Sequence, residues 1–567
     1  MIRKPSIPAL AALLVCGSFT LAVAGDLPLS SFSSDADVLI RLKSPQQTIE
    51  KAASMAATAD DKLADQVREN APFIGVLISN PALTGVDQEQ DWLVVVHARA
   101  ESDPAVIFCI PASDENAMQE ALPEKMGSFA RDGWVYYSED TEAIESLQNS
   151  SRSSAGSITD EMDSAATEVF ARGDLSVFLN ADHLTEVYKD QLDEGADQFA
   201  SRLGRRAGML NMVPGADVGS SVNQGTEAGR EILKDTRTFT SALVIGDDGL
   251  NVETLAQFKA DSKTAVAVSG HPGDSLTTVS RLPEGAVLYF GLSSSLSKGI
   301  QDKLQSSNTL AEPMDEQLEK LNELKKQLAE VTYKSFAAAL GLGHRGEGIL
   351  RVASITEASP ADKVRDFSEA AAELSNVELE GQGIKQEAEY LRDAETASGR
   401  SVDVMTVTTT VDPNVNPFLG PMLMQVNSTL FGPRGMEMRY SYWDDKFLYV
   451  LGGGPEAMEA AVESADGTEP NGTEEFREGL IEQPNVLLLL DVQRIAYRAL
   501  KAASEIPELG LPINEKVLDS KEPLPSFIGF SAASEEDALR SKTQVPSKQL
   551  YRIVQLAIFA KMASRQR

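Results

Sequence analysis

Asp132-Gly133-Trp134-Val135-Tyr136-Tyr137 runs into a segment bearing Glu142-Ala143-Ile144, and Asp445-Lys446-Phe447-Leu448-Tyr449-Val450 runs into one bearing Glu456-Ala457-Met458. Each is a short apolar and aromatic stretch feeding a helical pattern, which reads as a strand followed by a helix. Working outward from the first copy, apolar runs at Phe73–Ile78, Trp92–His97 and Ala105–Ile110 read as strands. Around the second, Gly348–Ile355, Val402–Thr409 and Met436–Tyr442 read the same way. Four further runs, Val38–Leu42, Leu175–Leu179, Val287–Leu292 and Val486–Val492, each open a unit by leading into a helix, at Pro45–Ala56, His183–Leu203, Leu296–Leu304 and Ile495–Ala503. Strand pairs near Phe239–Ile245 with Glu253–Phe258, and near Phe527–Ser531, close the shorter units. The economical reading is a duplication, residues 25–280 and 281–546, with sub-units about 25–150, 170–280, 281–465 and 484–546.

Strands joined by a few residues favour antiparallel pairing, and the helices then cover a sheet face. The expected class is α+β, two tandem similar halves with mainly antiparallel sheets packed by helices. A doubly wound parallel sheet is the alternative, but it needs a helix between nearly every strand pair, and residues 73–110 offer none. The periodicity of Leu318, Leu321, Leu328, Val331 and Ser335 predicts one long helix over Glu316–Leu340. The polar stretches Gln148–Asp163 and Ser464–Glu475 read as exposed linkers or loops.

The 567 residues are 42% hydrophobic and 24% charged, enough to bury several cores, which excludes a disordered or disulfide-stapled chain. Eighty-five acids against 51 bases give a net charge of -34, which repels a phosphate backbone and argues against nucleic-acid binding. Arg3, Lys4, the apolar run Ile7–Val23 and Ala22-Val23-Ala24 before Gly25 have the form of a signal peptide over residues 1–24, so an exported, periplasmic or extracellular protein is expected. An uncleaved anchor is the alternative. Val15 before Cys16 does not suit a lipobox, which needs a small residue there. Cleavage leaves Cys109 alone in an apolar run, a buried thiol and not a nucleophile. From 547 to 567, Lys548, Arg552, Lys561, Arg565 and Arg567 sit among Leu550, Ile553, Val554 and Ala557, the pattern of a basic amphipathic helix that closes the fold or touches a membrane surface.

No reaction motif is complete. Gly341-Leu342-Gly343-His344-Arg345-Gly346 has the letters of a dinucleotide fingerprint, but a helix is expected before it and a strand after, the reverse of the required order. Gly452-Gly453-Gly454-Pro455 lies between strand and helix, where amides can cradle an anion, yet no Lys follows and Pro455 suits a plain helix start. His97, His183, His271 and His344 are too scattered for a metal motif. Asp247-Asp248-Gly249 reads as a hairpin turn. Ser295-Leu296-Ser297-Lys298 lacks the companion motifs of penicillin-binding proteins. No catalytic residue, cofactor or metal ligand is assigned. Two Met-bearing apolar loops offer a candidate apolar ligand or partner surface: Met209 and Met212 in the first half, and Phe418, Met422, Met424 and Phe431 in the second.

Duplicated strand-helix units, the element Leu282-Pro283-Glu284-Gly285-Ala286-Val287-Leu288, and the segments Gly133–Ile144 and Lys446–Met458 together resemble an uncharacterised family of secreted bacterial proteins of the domain-of-unknown-function type. That resemblance implies the fold and no activity. The expected function is an exported, non-catalytic binding or envelope-associated protein whose partner is a protein, a peptide or a lipid. An exported hydrolase with a carboxylate or serine centre and a periplasmic carrier of lipid or another apolar ligand are the alternatives.

Overall fold

Val38–Leu42, the first of the apolar runs, is a strand paired antiparallel on both sides, with Trp92–His97 on one flank and Leu175–Asn180 on the other. The computed structural model describes residues 27–34, 36–58, 60–100, 102–149, 157–207, 218–269, 272–293, 323–324, 326, 328, 330–343, 348–379, 383–415, 419–443, 445–467, 469–504 and 522–550. The described residues up to 270 and from 534 onward form one compact unit, and those between form the second.

In the first unit the strands are β1 (Val38–Leu42), β2 (Trp92–His97), β3 (Ala105–Pro111), β4 (Gly127–Arg131), β5 (Trp134–Ser138), β6 (Leu175–Asn180), β7 (Thr236–Gly246) and β8 (Gly249–Phe258). They lie side by side in the order β4-β5-β3-β2-β1-β6-β7-β8, every pair antiparallel. In the second unit β9 (Leu288–Ser293), β10 (Thr332–Leu342), β11 (Leu350–Ser359), β12 (Val377–Leu379), β13 (Ile384–Ala397), β14 (Arg400–Val411), β15 (Met436–Tyr442), β16 (Lys446–Leu451), β17 (Val486–Leu490) and β18 (Ile528–Glu535) are ordered β12-β13-β14-β15-β16-β11-β10-β9-β17-β18. The stretch from β15 to β18 repeats the order from β4 to β7 strand for strand. The fold is α+β with two similar halves, and the antiparallel pairing excludes the doubly wound alternative. The last strand, β19 (Ala538–Pro546), pairs with β8 and completes the first unit.

The duplication reaches individual hydrogen bonds. Asn180 closes β6, its main-chain N–H donates to Asp37 O at 2.8 Å, and its side chain accepts from His183 N at 3.4 Å. Asp491 follows β17, its N–H donates to Val287 O at 2.8 Å, and its carboxylate accepts from Arg494 N at 3.0 Å. Both are N-caps that satisfy an amide of the first helical turn. In the first unit Leu39, Leu93, Ile107, Cys109 and Tyr136 form a buried core with Ile144 and Leu147 of helix Thr141–Asn149. In the second, Tyr289, Ala337, Ile355, Leu448 and Leu489 do so with Met458, Ala461 and Val462 of helix Gly454–Asp466. Burial raises the pKa of the Cys109 thiol, as befits a small hydrophobe.

Several expectations fail on local ambiguity. The helix predicted over Glu316–Leu340 does not reach Leu340, because β10 occupies Thr332–Leu342 between β9 and β11, and residues 316–322 of it lie outside the described residues. Its Phe336-Ala337-Ala338-Ala339 core favours a helix locally, but Ala337 and Ala339 lie buried in the core that contains Met458, Ala461 and Val462, and tertiary packing decides. Phe73–Leu77 is a short helix, not a strand, with Phe73 and Val76 exposed. His183–Leu203 is split between helices Ala181–Val187 and Lys189–Ala207. The supposed loop at 464–475 ends one helix and begins the turn Thr473–Arg477, and Asn471 Nδ2 donates to Val279 O and Leu282 O at 3.0 and 2.9 Å. Ile158, in the other supposed linker, is fully buried in the helix Ile158–Glu161. The segments 1–26, 296–304 and 551–567 lie outside the described residues.

Candidate functional site

In the second unit a cavity of about 420 Å³ opens between helix Gly454–Asp466 and helix Val492–Ser504, above the ends of β10, β11 and β16. Each wall follows from its local sequence. Ala457 and Ala460 stand one helical turn apart and face it together. Arg498 and Lys501 have the same spacing on the opposite helix, beside Tyr497 and Ala502. Ala339 and Gly341 come from β10, and Arg351 and Ala353 from β11. One rim is Pro283–Ala286, from the element that precedes β9, where the buried Tyr289 hydroxyl donates to Pro283 O at 3.0 Å. Burial pushes that phenol up to about 12.

The charged groups are Arg351, Arg498 and Lys501 against Glu284 and Glu522. Glu522 Oε1 accepts from Arg498 Nε at 2.8 Å and from Arg494 Nε at 3.0 Å. Burial disfavours its charge, but these two guanidiniums outweigh it and hold the carboxyl below its usual range. Arg498 Nη1 also donates to Gly285 O at 3.0 Å and Leu342 O at 3.3 Å, and Arg494 to Ala286 O and Gly285 O at 3.3 and 3.2 Å. Helix Val492–Ser504 is thereby fastened to the rim. Arg351 lies against two glycine turns. A Cβ at Gly343 would meet its Nε at 2.8 Å, and one at Gly453 would lie 3.4 Å from the same atom. Gly452, Gly453 and Gly454 all have positive φ, 77°, 75° and 68°, so a side chain there is strained as well.

The two glycine clusters that look unproductive in sequence therefore meet at one guanidinium. Gly341 ends a strand, not a helix, and a second strand follows at Leu350, so the dinucleotide order is absent for a different reason than expected. Gly452–Gly454 does join a strand to a helix. The Met-bearing surface is only partly described. Helix Leu419–Phe431 replaces the expected loop; it leaves Met424 67% exposed, while Phe431 packs beside Met438 and Leu451. Met422 lies in the same helix, and Met209, Met212 and Phe418 fall outside the described residues. Asp247 and Asp248 form the two-residue loop between β7 and β8. Among the described residues no group of three or more His, Cys, Asp or Glu side chains is placed to hold a metal ion.

No family model matches the chain. No curated protein matches it either. Two solved structures of TP0453 are similar at 9% identity: crystal form IV, covering 50% of this chain and 96% of that one with a TM-score of 0.23, and crystal form III, covering 49% and 97% with a TM-score of 0.20. No helix among the described residues is long and apolar enough to cross a membrane.

Proposed function

We propose that the protein is an exported, non-catalytic binding protein that holds its ligand in the cavity of the second unit. The observation that carries this reading is the cavity itself, whose volume lies in the range of small-molecule sites and whose lining joins apolar walls to a few convergent polar groups. The apolar run Ile7–Val23 with its Ala-Val-Ala ending supports export. Native mass spectrometry of the full chain, purified gently from its own compartment, tests the reading. A bound small molecule that disappears in an Ala460→Leu variant, which fills the cavity, is the expected result. Bare protein in every preparation would overturn it, and turnover of ester or glycoside substrates would favour a hydrolase.

A further inference from the structure

Resting on that reading, we propose that the cavity takes a small organic anion, a carboxylate or phosphate carried on a compact apolar body, and that each chain binds one. The lining has three cations and two carboxylates, a local positive excess in a chain whose net charge is -34. One of those carboxylates, Glu522, is already shared by Arg494 and Arg498. Arg351 and Lys501, the other two cations of the lining, also make contacts within the protein. An anionic head would join those contacts with charge-assisted hydrogen bonds, and an arginine held between backbone turns is pre-set to receive it. The apolar part of the lining includes Ala339, Ala353, Ala457 and Ala460, which offer apolar contact and leave the room that larger side chains would fill.

The first unit supplies the internal control. Gly341 pairs with Arg351 as His97 pairs with Ala105, so Ala105 occupies the place of Arg351. Counting from the caps Asn180 and Asp491, Val187 stands for Arg498, and helix Ala181–Val187 ends there, so no residue is matched to Lys501. Neither Arg351 nor Arg498 has a cationic counterpart, so this set of cations belongs to the second unit.

Calorimetric titration of the full chain with phenyl phosphate and benzoate tests the proposal, with inorganic phosphate as the head alone, benzyl alcohol as the body alone and benzylamine as the opposite charge. Saturable binding of phenyl phosphate or benzoate at one site per chain is expected, with the three controls at least about tenfold weaker. Arg351→Met and Lys501→Met should each weaken it by about tenfold or more, and the loss should shrink at high salt. Ala460→Leu, with an unchanged circular-dichroism spectrum, should block binding even if the Arg351 variant fails to fold. Equal binding of benzyl alcohol or benzylamine would overturn the anion while leaving the binding reading intact. Inorganic phosphate as tight as phenyl phosphate would overturn the apolar body. If no probe binds, the ligand class is wrong; a molecule still seen by native mass spectrometry would then preserve the binding reading, and its absence would end both.

Discussion

Beneath the start of β1 the first unit buries a carboxylate, Asp37, whose oxygens lie 2.5 Å from His183 Nδ1 and 2.5 Å from the Ala98 amide. At the matching place in the second unit stands Val287, equally buried, with Arg494 where His183 would be. The main-chain bonds around the two positions are the same: Asp37 N donates to Val96 O, and Val287 N donates to Leu340 O. A single frame thus tolerates opposite polarity at one point. In one unit the polar groups satisfy each other; in the other the cations are displaced to a rim that encloses space. The duplicated backbone sets where side chains stand, and the local choice of residue sets their polarity.

Exchanging the two residues is the severest way to break this comparison. Val287→Asp buries a carboxylate at a place where the matching cation, Arg494, is already committed to Glu522 and to the carbonyls of Gly285 and Ala286, and should cost about 3–5 kcal/mol. Asp37→Val strands the Ala98 amide and should cost about 2–3 kcal/mol. Urea unfolding of the full chain measures both. Equal and small losses would show that the two positions are not distinguished by their partners.

The caps give a smaller contrast. Asp491 is fully buried and accepts from both Arg494 N and Ser526 N, so Asp491→Ala should cost about 2 kcal/mol. Asn180 makes longer bonds, 3.4 Å to His183 N and to Ser34 O, so Asn180→Ala should cost about 1 kcal/mol. A reversed order in the same unfolding assay would mean that the first-unit cap carries more of its helix than its geometry indicates.

The smallest effect separates Asp174 from Asn485, which precede β6 and β17 at matching positions. Burial raises the Asp174 carboxyl and lowers the Lys51 ammonium despite their 2.8 Å pairing, so desolvation outweighs attraction on both sides. The double variant Lys51→Met, Asp174→Asn should therefore lie within about 1 kcal/mol of the parent. Titration sharpens the point. The raised Asp174 keeps its proton in the folded state after the unfolded chain has released it, so its stabilisation is full in acid and is lost as pH rises through its folded pKa. Glu522, with its pKa lowered, contributes above its ordinary value and loses that contribution as pH falls through its folded pKa. Urea midpoints from about pH 3 to 6 should lose the first slope in Asp174→Asn and the second in Glu522→Gln.

Runs with a strong apolar signal were legible. Strands β1, β2, β3, β6 and β16 coincide with such runs, and the matched aromatic segments reveal the duplication. β13 gave no such signal, because its alternating Glu, Lys and Arg side chains face solvent along most of the ribbon. β19 is similarly polar. β10 misled because its alanines suit a helix until the neighbouring strands are in place. The cavity was out of reach for another reason. Arg351 is far in sequence from Arg498 and Lys501, and each glycine cluster is weak alone; the sheet order is what gathers them.

β19 pairs Ala538–Pro546 with Gln257–Gly249, partners almost three hundred positions apart. The first unit consequently cannot finish folding while the ribosome is still working through the second. Until residues 538–546 have been made, after the whole of the second unit, that edge of β8 has no β19 to pair with.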